Sequence, residues 1–306
     1  MSDPAVTKVP LTEQLSQLFG GYKLGIAALA VIALLIWLAM LQLPDGRLHV
    51  AFLDVGQGDA ILITTPDGRQ LLVDGGPSPT QLAWALGRQM VFWDRSIDLV
   101  VLTHPDGDHM TGLIPLFDRY HVQRALTAAQ TLDAEEARSW REAVDAAGVL
   151  IVVAQRGMQI DLGRGARLEI LHPGAESLSG TPSDDNNNSV VLRLTYGQTS
   201  FLLTGDLEAK GERALLASGQ SLAAQVLKVS HHGSGGATTV EFLRAVAPLL
   251  AVIQVGADNN FGHPAPAVLE RLAAAEVQVL RTHQHGTIEV ISDGRGHRDD
   301  ELDQAP

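Results

Sequence analysis

The chain has 306 residues, 45% hydrophobic and 19% charged, which is enough apolar side chain for a sizeable core and too little charge for a disordered polymer. It contains no cysteine, which excludes disulfides, thiolate zinc sites, iron–sulfur clusters and a cysteine nucleophile. A net charge of −13 excludes a broad basic face for nucleic acid, so a phosphate-bearing substrate would need a metal or a local basic group.

No charged residue lies between Lys23 and Asp45. The run Leu24–Leu43 (LGIAALAVIALLIWLAMLQL) can cross the roughly 30 Å hydrocarbon core at about 1.5 Å per residue. It is longer than the apolar region of a signal peptide, roughly 7–15 residues, and no small-x-small cleavage site follows it. An uncleaved transmembrane helix over 24–43 is therefore predicted, after a cytoplasmic segment 1–23 with a short amphipathic turn at Leu11, Leu15, Leu18 and Phe19. Lys8 and Lys23 before the run, against Arg47 after it, put the bulk of this single-pass cell-membrane protein on the extracytoplasmic side. Residues 47–291 read as one domain and 292–306 as a polar tail that frays.

The domain alternates short apolar runs with helical patterns. Ala60–Thr65 and Gln70–Asp74 flank Pro66-Asp67-Gly68, a hairpin signal. Helices are expected near 79–91, 109–120, 133–147, 206–218, 238–246 and 264–275, with Trp84 and Trp93 in the core or packed against a helix. Several strand-length runs end in a residue able to bind metal: LLVDGG (71–76), LVVLTH (99–104), FLLTGD (201–206) and VLKVSHH (226–232). Runs this apolar are buried on both faces of a sheet, so their polar ends can converge at one edge.

The densest motif is His104-Pro105-Asp106-Gly107-Asp108-His109, where four of six residues offer imidazole or carboxylate to a divalent metal in a loop between strand and helix. Asp206 is a metal-bridging carboxylate or a helix cap. At least one of His231 and His232 binds metal or acts as an acid, and which one is open, because neighbouring strand residues face opposite ways. Asp74 is a turn residue or a carboxylate that orients a ligand. His263 is a ligand, a proton donor, a substrate contact or a loop histidine. Asn188 and Ser189 reach the site or make a turn. His49, His121, His172, His283, His285 and His297 carry no functional expectation.

Together FLDVGQGD (52–59), LLVDGG (71–76), HPDGDH (104–109), NNS (187–189), LLTGD (202–206), LKVSHHGS (227–234) and GHP (262–264) resemble the metallo-β-lactamase superfamily, and within it the C-terminal domain of ComEC-type DNA-uptake (competence) proteins. The resemblance covers roughly 48–290 and implies an α/β layered fold: an αββα sandwich of two mixed sheets with helices outside and a metal site at one edge. It implies two divalent ions, zinc or manganese, with magnesium also admitted. Asp106 stands where the superfamily usually has a second histidine, and another usual histidine has no counterpart near Asn188, which shifts the donor set from nitrogen towards oxygen. His104 and Asp106 would hold one ion and Asp108 and His109 the other, with Asp206 bridging and His231 or His232 completing the set. Asp108, Asp206 and His263 would carry catalysis, Asp74 and Asn188 would orient ligands, and Asp59, Lys228, Ser234 and His263 would contact substrate. The expected activity is hydrolysis of a phosphodiester, most directly DNA as single strands or ends, by an anchored nuclease beside a separate polytopic channel subunit. An anchored hydrolase of a cell-envelope phosphodiester or ester, and a non-catalytic accessory module of such a channel, are the alternatives.

Overall fold

The computed structural model describes residues 10–40 and 44–295, in two units, 1–43 and 44–306. The first unit is one helix, α1 (Leu11–Met40), which runs without a break from the expected amphipathic turn into the uncharged stretch. Its side chains from Ile26 to Leu38 are exposed. Among the described residues no helix is long and apolar enough to cross a membrane. Residues 41–43 of the expected span, 1–9 of the segment before it and 296–306 of the tail lie outside the described residues.

The second unit runs β1 (Leu48–Phe52), β2 (Ile61–Thr64), β3 (Gln70–Val73), α2 (Pro79–Gln89), β4 (Ser96–Ile97), β5 (Leu99–Leu102), α3 (Gly107–Met110), β6 (His121–Val122), β7 (Arg124–Thr127), α4 (Ala129–Asp133), α5 (Arg138–Ala146) and β8 (Leu150–Val153). It continues with β9 (Gln159–Gly163), β10 (Ala166–His172), α6 (Asp184–Asn187), β11 (Val191–Tyr196), β12 (Thr199–Leu203), α7 (Ala209–Ala217), β13 (Val226–Lys228), α8 (Val240–Val246), β14 (Leu250–Ile253), α9 (Pro266–Ala274), β15 (Gln278–Arg281), α10 (Thr282–His285) and β16 (Ile288–Ser292). Two seven-stranded sheets result, ordered β16-β1-β2-β3-β5-β7-β8 and β15-β14-β13-β12-β11-β10-β9. Each is antiparallel in one half and parallel in the other, with β3, β5, β7 and β8 parallel in the first and β12 to β15 parallel in the second.

The period-2 alternation of each strand sorts its side chains into layers. Val50, Phe52, Val73 and Val101 meet Phe201, Leu203 and Val252 in a core between the sheets. Ala51, Leu53, Leu72 and Val100 turn the other way, onto Leu82 and Leu86 of α2 and Trp140 of α5. Leu202, Leu227 and Ile253 likewise face Leu215 of α7, Phe242 of α8 and Leu272 of α9. The result is the αββα sandwich.

Three local expectations are corrected. The helix expected over 109–120 is the four-residue α3 followed by a 3-10 segment, Thr111–Leu116. Gly112 donates its amide to Gly76 O (3.0 Å) instead of along the helix, and Pro115 has no amide to give. The helix expected over 133–147 begins later, as α5 at Arg138, because α4 ends at Asp133 and Arg141 Nη1 closes that end by donating to Ala134 O (2.6 Å). Ser292, expected in the tail, pairs with Leu48 as the last residue of β16.

His172 at the end of β10 is buried, and its Nε2 lies 3.0 Å from Asn187 O. Burial, helped by nearby Arg156 and opposed by that carbonyl, lowers its pKa to about 4. The unfolded chain therefore binds the extra proton between pH 6.5 and 4, and stability falls as pH drops through that window. The expected loss below pH 4 is up to about 3 kcal/mol. Urea unfolding of His172→Gln beside the parent should show a difference that shrinks with acidification; a constant offset would refute it.

Candidate metal centre

The polar residues gather where the parallel strands of both sheets end. Asp74 follows β3, and Thr103 and His104 follow β5. Asp206 follows β12, Lys228 closes β13, and Gln254 follows β14. Asp59 comes from the β1–β2 loop, and Asp106, Asp108 and His109 from the turn into α3.

Three buried imidazoles are oriented alike. Thr103 donates its amide to Asp74 Oδ1 (2.8 Å) and its hydroxyl to Asp74 Oδ2 (2.7 Å). With that proton given away, Thr103 Oγ1 accepts from His104 Nδ1 (3.0 Å). His109 Nδ1 donates to Asp74 Oδ2 (2.8 Å), and His232 Nδ1 to the main-chain oxygen of Gln254 (2.9 Å). Nδ1 of each ring is thus engaged. The Nε2 atoms of all three are buried with no hydrogen-bond partner. Buried nitrogens aimed together without partners are what a metal site requires, and partners on the far ring nitrogen are how such ligands are held.

Asp206 is the hub. Its carboxylate lies 3.3 Å from His109 Nε2, 3.4 Å from His232 Nε2, 3.6 Å from His231 Nε2, 4.0 Å from His104 Nε2 and 3.8 Å from Lys228 Nζ. Burial works to raise its pKa, but His232 and His109 beside it hold it well below the carboxylate range. Burial likewise works to lower His109 and His232, yet Asp206, with Asp74 for one and Asp59 for the other, raises both well above the ordinary value. Asp106 Oδ2 is 3.5 Å from His104 Nε2, and Asp108 Oδ2 is 3.2 Å from His232 Nε2. Burial, the largest influence on Asp108, raises it, but His232 and His109 bring it down to about 2. Among the described residues, the donor sets within reach of one ion are His104, His109 and Asp206; Asp59, Asp206 and His232; Asp59, Asp74 and His109; and Asp108, His109 and His232, of which only Asp108 is half-buried.

Both His231 and His232 face Asp206, against the expectation that one would turn away. β13 ends at Lys228, and the two histidines occupy a 3-10 turn with φ of +51° each, so strand alternation does not apply. His231 is the more exposed and also approaches Glu208 (3.3 Å). Lys228 and Asp59, expected at the substrate, are fully buried instead. The Lys228 ammonium makes an ion pair with Asp59 and donates to Gly205 O (3.2 Å), so neither is presented to substrate. Asn188 is placed away from the ligands: it clasps its own loop, accepting from Leu178 N (2.7 Å) and donating to Leu178 O and Asp184 O (2.8 Å each). Ser189 does reach the site, accepting from Asp206 N (3.3 Å). Ser234 accepts from Gly236 N (3.4 Å) in its own turn. His263 stands at the mouth, its ring centroid 5.5 Å from that of His231. Burial and the neighbouring His231 and His232 lower its pKa. Trp84 and Trp93, expected in the core or packed against a helix, are exposed.

Gln254 is a residue the motifs missed. Its side-chain amide donates to Ala60 O (2.8 Å) and Leu53 O (3.1 Å) on the other sheet, while its carbonyl holds His232. A strand-end glutamine on the inner side of β14 was the available signal.

Gly58 has φ +140°, and a Cβ there would run into the carbonyl oxygen of Asp108, which accepts from Asp59 N (3.2 Å). Gly58→Ala is expected to cost about 1–3 kcal/mol and to lower metal content, because the strain falls on the loop carrying Asp108. Urea midpoints and bound metal per chain check this; full metal content at parental stability would refute it.

The layered fold, with a buried His/Asp cluster at the ends of its parallel strands, is that of the metallo-hydrolases. The chain belongs to the metallo-beta-lactamase superfamily, whose profile matches residues 53–256. It is 31% identical to ComE operon protein 3 of Bacillus subtilis (strain 168) over 257 residues, 79% of this chain and 32% of that protein. It is also 31% identical to competence protein ComA of Neisseria gonorrhoeae over 259 residues, 83% of this chain and 33% of that one. These relatives are ComEC-type competence proteins, and the chain spans about a third of their length. Among solved structures, Zn(2+)-bound PqqB from Methylobacterium extorquens has a TM-score of 0.52 at 12% identity, covering 79% of this chain and 99% of that one. CmlA, a diiron beta-hydroxylase from Streptomyces venezuelae, has a TM-score of 0.52 at 14% identity, covering 81% and 54%. At these identities the likeness is one of fold.

Proposed function

We propose that the chain is a membrane-anchored, metal-dependent phosphodiesterase that cleaves DNA in a ComEC-like uptake system. The observation that carries the reading is the convergence of three partnerless Nε2 atoms on the Asp206 carboxylate. Charge supports two ions: with the imidazoles neutral, as ligands to metal must be, Asp59, Asp74, Asp106, Asp108 and Asp206 against Lys228 leave four negative charges, which two divalent cations neutralise. His104, Asp106, His109 and Asp206 would hold one, and Asp108, His232 and Asp206 the other, with His231 at the rim. Zinc, manganese and magnesium all suit this mixed nitrogen and oxygen set to different degrees.

Such ions supply Lewis acidity towards a phosphoryl oxygen and lower the pKa of water. The chain's own groups do the rest. Asp74, Thr103 and the Gln254 carbonyl fix the imidazoles, so the ligands need no reorganisation. His263, its pKa lowered by burial and the neighbouring His231 and His232, would take the proton that the attacking water loses as its oxygen bonds to phosphorus and pass it to the oxygen whose bond to phosphorus breaks. DNA as substrate is supported by the competence relatives. Membrane anchorage is supported by the uncharged run and the exposed apolar side chains of Ile26 to Leu38, with the catalytic domain outside and a separate channel subunit as partner. The net charge of −13 favours a grip on a few nucleotides at an end over binding along a duplex.

The test uses the whole chain in detergent with single- and double-stranded DNA labelled at the 5′ or 3′ end, with zinc, manganese or magnesium, before and after chelation. Metal-dependent shortening of the label is expected, and its direction gives the polarity. Hydrolysis of a small diester or ester without DNA cleavage would move the reading to a cell-envelope substrate. Metal binding without turnover would leave an accessory module.

A further inference from the structure

A groove of about 510 Å³ is lined by Asp54, Thr80, Gln81, Trp84, Ala257 and His283. We infer that this groove binds a nucleobase of the substrate strand, stacked on the indole of Trp84. The inference rests on the DNA reading above and names a contact which that reading does not contain.

Four observations carry it. Two segments of the groove's lining lead to the centre: its Gly56 is three residues from Asp59, at most about 11 Å along the chain, and its Gly256 is two residues from Gln254, whose main-chain carbonyl holds His232. Gly256 N donates to Gln57 Oε1 (3.1 Å), so the two walls are fixed to each other. Trp84 is 60% exposed, so its indole is open to a ligand in the groove it lines. The Arg88 guanidinium carbon sits 4.8 Å from its ring centroid, covering one face and leaving the other for a planar ligand. The groove also contains an orphan: His283 Nδ1 is buried without a hydrogen-bond partner. Burial, with nearby Arg281, lowers the pKa of that ring, so it is neutral at pH 7 and can donate or accept. An aromatic platform with a neutral imidazole, the Asp54 carboxylate and the Thr80 hydroxyl suits a planar heterocycle whose edge mixes donors and acceptors. The volume is that of a small-molecule site, which disfavours a partner helix or strand.

The test is carried out on the whole chain in detergent in an Asp206→Ala background, so that binding is read without cleavage. Fluorescence anisotropy compares a short single-stranded oligonucleotide with one of equal length carrying abasic sites. The parent should bind the base-bearing strand at least about fivefold more tightly, the lower end of what one stacked base contributes. Trp84→Ala should abolish that preference while Trp84→Phe keeps most of it, with thermal unfolding unchanged in both. Equal weakening of both strands by Trp84→Ala, or no base preference in the parent, overturns the stacking site. So does a Trp84→Ala defect confined to phosphatidylglycerol vesicles, which would assign the indole to the membrane surface. Failure of the nuclease reading is seen separately, as absence of cleavage by the unsubstituted chain with a base preference still present.

Discussion

Asp206→Ala is expected to abolish activity, by about 10³-fold or more, and to lower bound metal, because no other side chain touches as much of the site. Four imidazoles and one ammonium lie within 4.0 Å of its carboxylate. Removing a single preorganised charge-stabilising group commonly costs roughly 10²–10³, and a residue shared between donor sets should cost more. Asp206→Asn keeps the shape and removes the charge, so it should fail nearly as completely. Burial opposes the charge, but His232 and His109 hold the carboxyl well below its usual range, so the anion stabilises the fold above the unfolded carboxylate pKa. Both variants should therefore also unfold more easily after chelation. The checks are metal analysis per chain, diester turnover and urea unfolding with and without chelator. Asp206→Asn with full metal content and a tenth of parental turnover would remove Asp206 from the centre of the site.

Lys228→Met should produce the largest loss of stability, about 3–5 kcal/mol, because it strands the Asp59 carboxylate in the interior without its cation. Burial pushes the Asp59 pKa up, and Lys228 with His232 brings it below the ordinary value, so this carboxylate depends on its neighbours to stay charged. Lys228→Met combined with Asp59→Asn should recover most of the loss, since exchanging a whole buried pair for neutral groups costs far less than breaking it. Urea titrations of the two single variants and the double variant measure the coupling. Additive losses would show that the two residues do not act as a pair.

Much of this organisation follows from strand alternation and strand ends. LLVDGG, LVVLTH and FLLTGD are buried runs, and a sheet delivers their last residues to one edge whatever the loops do. Lys228, expected to contact substrate, is buried against Asp59. The alternation of Val226 towards the inner core and Leu227 towards the outer helices already puts the next residue inward. The orientation of His231 and His232 was not legible, because it depends on two consecutive left-handed residues in a turn that only packing can enforce. The exposure of Trp84 was hidden for a related reason. Helix α2 buries Leu82, Ala85 and Leu86, and nothing in the local pattern says that position 84 falls outside that face. The broken helix at 109–120 turned on one amide spent on a distant carbonyl, which no local propensity records.

The clasp made by Gln254 bears on how the protein is born. Asp59, Asp74 and the 104–109 loop come from the first half of the domain, whereas Asp206, Lys228, His231 and His232 come from the second, and Gln254 ties the two at their closest approach. A ribosome that has made only β1 to β8 has released carboxylates and two histidines without the residue on which they converge. The centre is therefore assembled only after both halves of the domain have been made, when β14 docks and the clasp closes. Until then the growing polypeptide carries the separate donors of a metal centre and no assembled site.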